Sequence, residues 1–281
     1  MKTSKRIHLG FEDFEGALDK LGIQDNAQFI FSPYKKLISS YDGFAIEVRR
    51  SSDDATMNFG FDNWGNLEVN KLLDWVGSGN NGYIKTIYNQ AKPSNNIYQN
   101  ITTGQPIIVD TGVFQEDGIS FDGLNDCMTC DKYDEVNITD HPLTVFCQMK
   151  KPAASTAILV GINTDTSNAQ FSVFTTTVPQ AINFKLNSTS VQTNYITGSI
   201  ENVMCVYKDG GTNAQIAKAN TDEDTGNYSS ILTEYSFLNV GCRSTAVDNS
   251  TKAFFHNGNI KTIIIFNSNE YDNYSKLVSL I

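Results

Sequence analysis

The chain falls into two stretches of different hydrophobic rhythm. From residue 119 onward, apolar side chains recur at every second position in short runs spaced roughly ten residues apart, the pattern of half-buried strands. Leu143, Val145, Cys147 and Met149 share one face of such a run, and Val203, Cys205 and Tyr207 share one face of another, so both cysteines are expected on a buried side. Further strands are predicted over 157–162, 171–178, 182–186 and 191–196. The run 260–266 begins alternating and ends apolar on both faces, as a central strand covered on each side would. A polar turn at 267–269 leads to a closing helix with Tyr274, Leu277, Val278 and Ile281 at helical spacing.

Residues 1 to about 126 mix helical and irregular signals. Ser32-Pro33 offers an N-cap followed by proline at the first helical position, and Tyr34, Leu37 and Ile38 fall at helical spacing, which predicts a helix to Ser40. A turn at 41–43 precedes an alternating strand over 44–49. Asn66 or a neighbour caps a second helix through Val69, Leu72, Leu73 and Trp75 to Val76, with Gly77 at the left-handed closing position. The Ile- and Tyr-rich stretch 83–88 reads as a strand. Many antiparallel strands with turn punctuation, and no alternating strand–helix–strand units, predict a mainly β chain: a two-sheet antiparallel jelly-roll sandwich with short N-terminal helices.

Composition narrows the function classes. With 281 residues and 40% hydrophobic residues the chain can bury a large core, in one large β domain or two small ones. Lys plus Arg number 21 against 31 Asp plus Glu, a formal charge of -10, so neither nucleic acid nor an anionic membrane is expected as a partner. No apolar run approaches the ~20 residues that span a bilayer. The N-terminus reaches acidic residues before any apolar region develops, so no secretion signal is expected. Cys127, Cys130, Cys147, Cys205 and Cys242 are odd in number and scattered, which reads as mostly buried thiols in a reducing cytosol and not as a disulfide framework.

One block is similar to a known family. Tyr41 and Gly43, Val48 to Asp53, Gly65-Asn66-Leu67, Val76-Gly77 and Tyr88-Asn89-Gln90 resemble the opening of the catalytic domain of fungal α-L-arabinofuranosidase B, and more closely its relatives in bacteriophage virion and tail proteins. Downstream, Ile119 to Gly123, Gly241, Gly258-Asn259-Ile260 and Phe266-Asn267 look like the concanavalin A-like, or laminin-G-like, sandwich. The resemblance covers roughly residues 30 to 281. It implies an arm over 1–30 for docking or oligomerisation and a concanavalin A-like sandwich over 31–281, with an arabinofuranosidase-like part at 31–118 and the main strands at 119–281.

Glycoside hydrolysis by such a domain requires two carboxylates flanking the bond, a nucleophile and a general acid. The resemblance puts the nucleophile, a Glu after a pair of adjacent cysteines, on the strand at 157–165, where this sequence has neither. The acid, an Asp after Gly-Gly, corresponds to Gly241-Cys242-Arg243, and a guanidinium donates no proton at neutral pH. Asp165 and Asp248 are the nearby carboxylates that a shifted alignment would use. Cys127-x-x-Cys130 lacks the second pair a zinc site needs, His8, His141 and His256 have no metal-face spacing, and Arg49-Arg50 with Asp53-Asp54 reads as ion pairs locking a turn. No cofactor is expected. The Asp/Asn-rich turns at 163–168, 209–213, 220–224 and 248–249 have the chemistry to ligate calcium, although solvated turns account for them more simply. Trp64, Tyr88, Tyr98 and Tyr228 are candidates for stacking on sugars and equally for places in the core.

These features lead to an expected bacteriophage virion structural protein, a tail fibre, spike or capsid appendage. Its catalytically inactive, lectin-like sandwich would be assembled in the bacterial host cytoplasm and contact a host-surface glycan through Tyr88, Asn89, Asp165, Arg243 and Asp248. Its partners would be other virion subunits, with homo-oligomers, trimers by analogy. The alternative is an active arabinofuranosidase-like glycoside hydrolase on cell-surface polysaccharide.

Overall fold

The structure, a computed structural model, describes residues 14–130, 142–163, 171–186, 189–194, 197–207, 214–218, 221–226, 237–245 and 249–281. In chain order the elements begin with α1 (Ala17–Leu21), β1 (Ala27–Phe31), β2 (Ile46–Arg50), β3 (Thr56–Phe59), α2 (Val69–Val76), β4 (Gly82–Ile87) and β5 (Ile97–Tyr98). Then come β6 (Ile107–Asp110), β7 (Val113–Phe114), β8 (Ile119–Asp122), β9 (Met128–Cys130), β10 (Leu143–Lys150), β11 (Ala157–Asn163), β12 (Phe171–Thr176), β13 (Ala181–Leu186) and β14 (Thr189–Asn194). The chain closes with β15 (Ile200–Tyr207), β16 (Ala214–Lys218), β17 (Thr221–Gly226), β18 (Phe237–Val240), β19 (Arg243–Ser244), β20 (Lys252–Ala253), β21 (Asn257–Phe266) and α3 (Tyr274–Leu280).

All the strand pairings described are antiparallel. One layer runs β1-β21-β10-β15-β16-β17. The other runs β3-β2-β4-β5-β9-β18-β11-β12-β13-β14. They join along one side, where β8 pairs with both β21 and β6, and β6 pairs with β4. The expected two-layer antiparallel sandwich is therefore the fold.

Alternation decides what the layers enclose. Leu143, Val145, Cys147 and Met149 of β10, and Val203, Cys205 and Tyr207 of β15, point into the core between the layers, where they meet Leu238, Val240, Ile162, Phe171 and Phe184 of the facing layer. The opposite faces of β10, β15 and β21 are also apolar. Phe146, Met204, Val206, Ile264 and Phe266 form a second core under Leu18 of α1, Leu37, Ile38 and Tyr41, and Tyr274 and Leu277 of α3. This is why 263–266 reads as apolar on both faces. At about 1.5–3 kcal/mol for each fully buried large apolar side chain, the short helices are held by what they cover and not by their own propensity.

Several expectations are corrected. Residues 33–40 are not helical. Ser32 Oγ donates to the Lys35 carbonyl instead of capping a helix, and the amides of Lys36 and Leu37 bond to Gly65 O and Gln90 Oε1. Tertiary partners thus take the backbone groups that a helix would have paired internally. Of the arm expected over 1–30, residues 17–30 are built into the sandwich: β1 pairs with β21, and the Leu18 amide bonds to Leu37 O. Helix α2 starts after Glu68, with no side-chain cap, and Gly77 closes it at φ 80° and ψ 157°, outside the left-handed helical region. Arg50 does grip Asp53 through two bonds and Arg49 reaches Asp54 at 2.6 Å, the expected locked turn.

The cysteine reading also changes. Cys127 and Cys242 form a disulfide across 115 residues, while Cys130, Cys147 and Cys205 are buried and take part in no disulfide. The odd count concealed a single pair.

Candidate functional site

The outward side chains of the second layer form one register line. Asn58 lies opposite Glu47, Glu47 opposite Thr86, Thr86 opposite Tyr98 and Tyr98 opposite Thr129. The line continues from Thr129 to Asn239, Gly161, Ser172, Lys185 and Ser190. Most of these alternate with core residues, such as Leu238 and Val240 around Asn239, so a polar row, interrupted at Gly161, crosses ten strands. At about 4.8 Å per strand the row extends roughly 40 Å along the sheet.

Its centre lies beneath the chain segment that follows β18. Asn239, fully buried, accepts hydrogen bonds at Oδ1 from Thr129 Oγ1 (2.9 Å) and Lys252 Nζ (2.9 Å), and its amide donates to Asn249 Oδ1 (3.1 Å). Lys252 also bonds Asn249. This network fastens the β19–β20 hairpin to the sheet. The disulfide fastens the same segment from the other side, through Cys242. Gly241 has φ +81°, and a Cβ there would stand 2.3 Å from the Phe121 ring, so only glycine lets the chain turn at this point.

Arg243 extends over Gly161, whose absent side chain leaves the Arg243 Cγ 3.9 Å from where a Cβ would be. Its guanidinium stacks on Phe254 at 4.6 Å, and its Nε is buried without a hydrogen-bond partner among the described residues. Phe254 is half exposed and sits at φ +58°, a conformation costing a bulky residue about 1–2 kcal/mol. The Ile158 amide bonds to its carbonyl and holds it there.

At the far end, Glu47 accepts from Lys85 (2.9 Å) and Thr86 (2.9 Å). Burial pushes its carboxyl up, but the bonds from Lys85, Thr86 and Thr56 outweigh this and hold it below the usual range. Tyr88 Oη donates to Asn58 Oδ1 and its ring lies 6.1 Å from Phe44. Beside the disulfide, burial pushes Asp126 up to about 6, with the charge of Asp122 adding to it, and Lys151 is lowered by burial to about 8. His256, fully buried at 6.0 Å from Phe121, is held well below its ordinary value by burial and then by Lys151.

The structure separates the residues singled out from the sequence. Arg243 is at the centre of the row, and Tyr88 is at one end through Asn58. Asn89 is no surface ligand: it is buried, and its Oδ1 accepts the amides of Ile30 and Ala91. Trp64 is exposed, Tyr98 is in the row, and Asp165, Asp248, Tyr228, His8 and His141 lie outside the described residues, as do most of the turns considered for calcium. Among the described residues no group of three or more His, Cys, Asp or Glu could hold a metal ion. Asn239, Thr129, Ser172 and Lys252 were missed. The signal for Asn239 was a lone amide inside Phe-Leu-Asn-Val, an otherwise apolar strand.

No protein-family model matches the chain, and no curated protein matches its sequence. Solved structures do. A Glu-to-Gln mutant of a GH54 α-L-arabinofuranosidase soaked with 4-nitrophenyl α-L-arabinofuranoside superimposes with a TM-score of 0.69 at 15% identity, over 94% of this chain and 64% of that one. An arabinofuranosidase complexed with arabinofuranosyl-α-1,2-xylobiose gives the same figures, 0.69, 15%, 94% and 64%. The chain thus spans about two thirds of the length of these enzymes. The expectation of a catalytically inactive virion module is overturned by these matches: the neighbours are glycoside hydrolases, and they carry nothing of a phage particle. The chain has the sandwich fold of the α-L-arabinofuranosidases.

Proposed function

We propose that the chain is a glycoside hydrolase that removes arabinofuranosyl units from a polysaccharide bound along the polar row. The observation that carries this reading is the row itself: polar side chains, Tyr98 among them, in register on both flanks of the segment that covers Asn239 and Gly161, across a sandwich of arabinofuranosidase type. A polyol needs many hydrogen-bonding groups and a ring to lie against, and it needs them along a line.

Two carboxylates complete the chemistry, one attacking the anomeric carbon and one protonating the leaving oxygen. Asp165, two residues beyond β11, and Asp248, next to Asn249, are assigned these roles. Asn239 acts as a positioning residue, since it ties Asn249 and Lys252 to the sheet. Arg243 stands where the sequence resemblance would put the acid, after Gly241-Cys242; its fixed charge favours an ionised carboxylate nearby, the state a nucleophile needs. A disulfide that persists in an oxidising compartment suits a substrate outside the cell. Incubation with an arabinofuranose-substituted xylan is expected to release free arabinose; release of no sugar from any such polymer would contradict the reading.

A further inference from the structure

A pocket opens beside β21, between that strand and the segments that carry Tyr34, Asn66 and Phe114. β1 leaves the edge of β21 at Ile263, and β8 joins that edge only at Ile260, so Lys261 and Thr262 have no strand beside them there. The gap is a pocket of about 320 Å³. Tyr34 and Phe114 form its aromatic wall, with ring centres 5.4 Å apart, and Tyr34 Oη is pinned by donating to Gln115 O. Lys261 Nζ stands 5.7 Å from the Tyr34 ring centre, and Lys35 and Glu116 are also on the lining.

The charges are informative. In a chain of net charge -10, two lysines line one pocket and neither forms an ion pair among the described residues. The volume fits a small ligand at the lower end of the usual range. Aromatic faces accept the C–H side of a sugar ring, and Asn66 and Glu116 can accept its hydroxyl hydrogens. Glu116 would repel a second negative charge.

We propose that this pocket binds a hydroxylated ring carrying a single carboxylate, the chemistry of a hexuronate unit, with Lys261 and Lys35 on the carboxylate and Tyr34 and Phe114 against the ring. Binding here does not depend on the hydrolytic reading, because no residue of the polar row lines this pocket and binding is read without turnover. Calorimetry or ligand-observed NMR on the full chain, with glucuronate, glucose and acetate as probes, tests it. Glucuronate is expected to bind at least tenfold more tightly than either glucose or acetate, and the Lys35→Ala/Lys261→Ala double variant should lose that advantage while keeping the wild-type melting temperature. A Phe114→Ala variant should weaken glucuronate without changing acetate. Equal binding of glucuronate and glucose, equal binding of glucuronate and acetate, no binding of glucuronate, or wild-type affinity in the double lysine variant would each overturn the proposal.

Discussion

Cys127 is covalently joined to Cys242, so the end of the loop before β9 and the start of the segment over the polar row are one unit despite 115 residues between them. A cross-link closing so long a loop restricts the unfolded chain strongly. Replacing both cysteines by serine is expected to cost about 2–5 kcal/mol in urea unfolding. Activity should fall as well, since Arg243 is the next residue. A double variant with unchanged midpoint would mean that the bond does not constrain the chain.

Gly241 tests the same segment without touching sulfur. Its positive φ and the Phe121 ring both exclude a Cβ, so Gly241→Ala is expected to destabilise by about 2–4 kcal/mol. Thermal unfolding of this variant beside Gly161→Ala is informative. A Cβ on Gly161 meets nothing closer than 3.6 Å, so that second variant should retain most of its stability.

Asn239 holds three partners together. Asn239→Ala leaves Lys252 and Thr129 without their shared acceptor and is expected to cost about 1–3 kcal/mol. The reading also predicts a fall in kcat/KM of about 10- to 100-fold. Asn239→Asp restores the acceptor for both, though not the donor to Asn249, and should recover part of each loss.

Two buried groups give opposite pH signatures. Asp126 has its folded pKa raised to about 6 from 3.8, so it stabilises the fold fully below about pH 4, and this is lost as pH rises through 6. Asp126→Asn should therefore gain melting temperature relative to wild type at pH 7.5 and show little gain at pH 4. His256 has its folded pKa held well below 6.5, so its contribution is present above pH 6.5 and lost as pH falls. His256→Phe is expected to reduce acid sensitivity below pH 6.5. A variant that loses stability equally at all pH values would show packing, and not titration, to be its main role.

The strands were legible because their inward residues are apolar at period two, and 263–266 could be read as central because both its faces are covered. Residues 33–40 misled because helical spacing says nothing of Gln90 and Gly65, which bond the extended chain. The disulfide was hidden by three other cysteines and by its span. Asn89 looked like a ligand-binding residue, although its side-chain oxygen accepts the amide of distant Ile30 and that of nearby Ala91. The polar row was illegible for a related reason. Each member reads singly as an outward residue, and only pairing Thr129 with Asn239, and Asn239 with Gly161, assembles them.

Hydrolysis of 4-nitrophenyl α-L-arabinofuranoside, followed by release of nitrophenolate, tests the central claim most directly. The wild-type chain is expected to turn it over, and Asp165→Asn and Asp248→Asn are each expected to lower kcat by about 10²- to 10⁴-fold with the fold retained. Absence of turnover by the wild-type chain, or turnover that survives both substitutions, would contradict it.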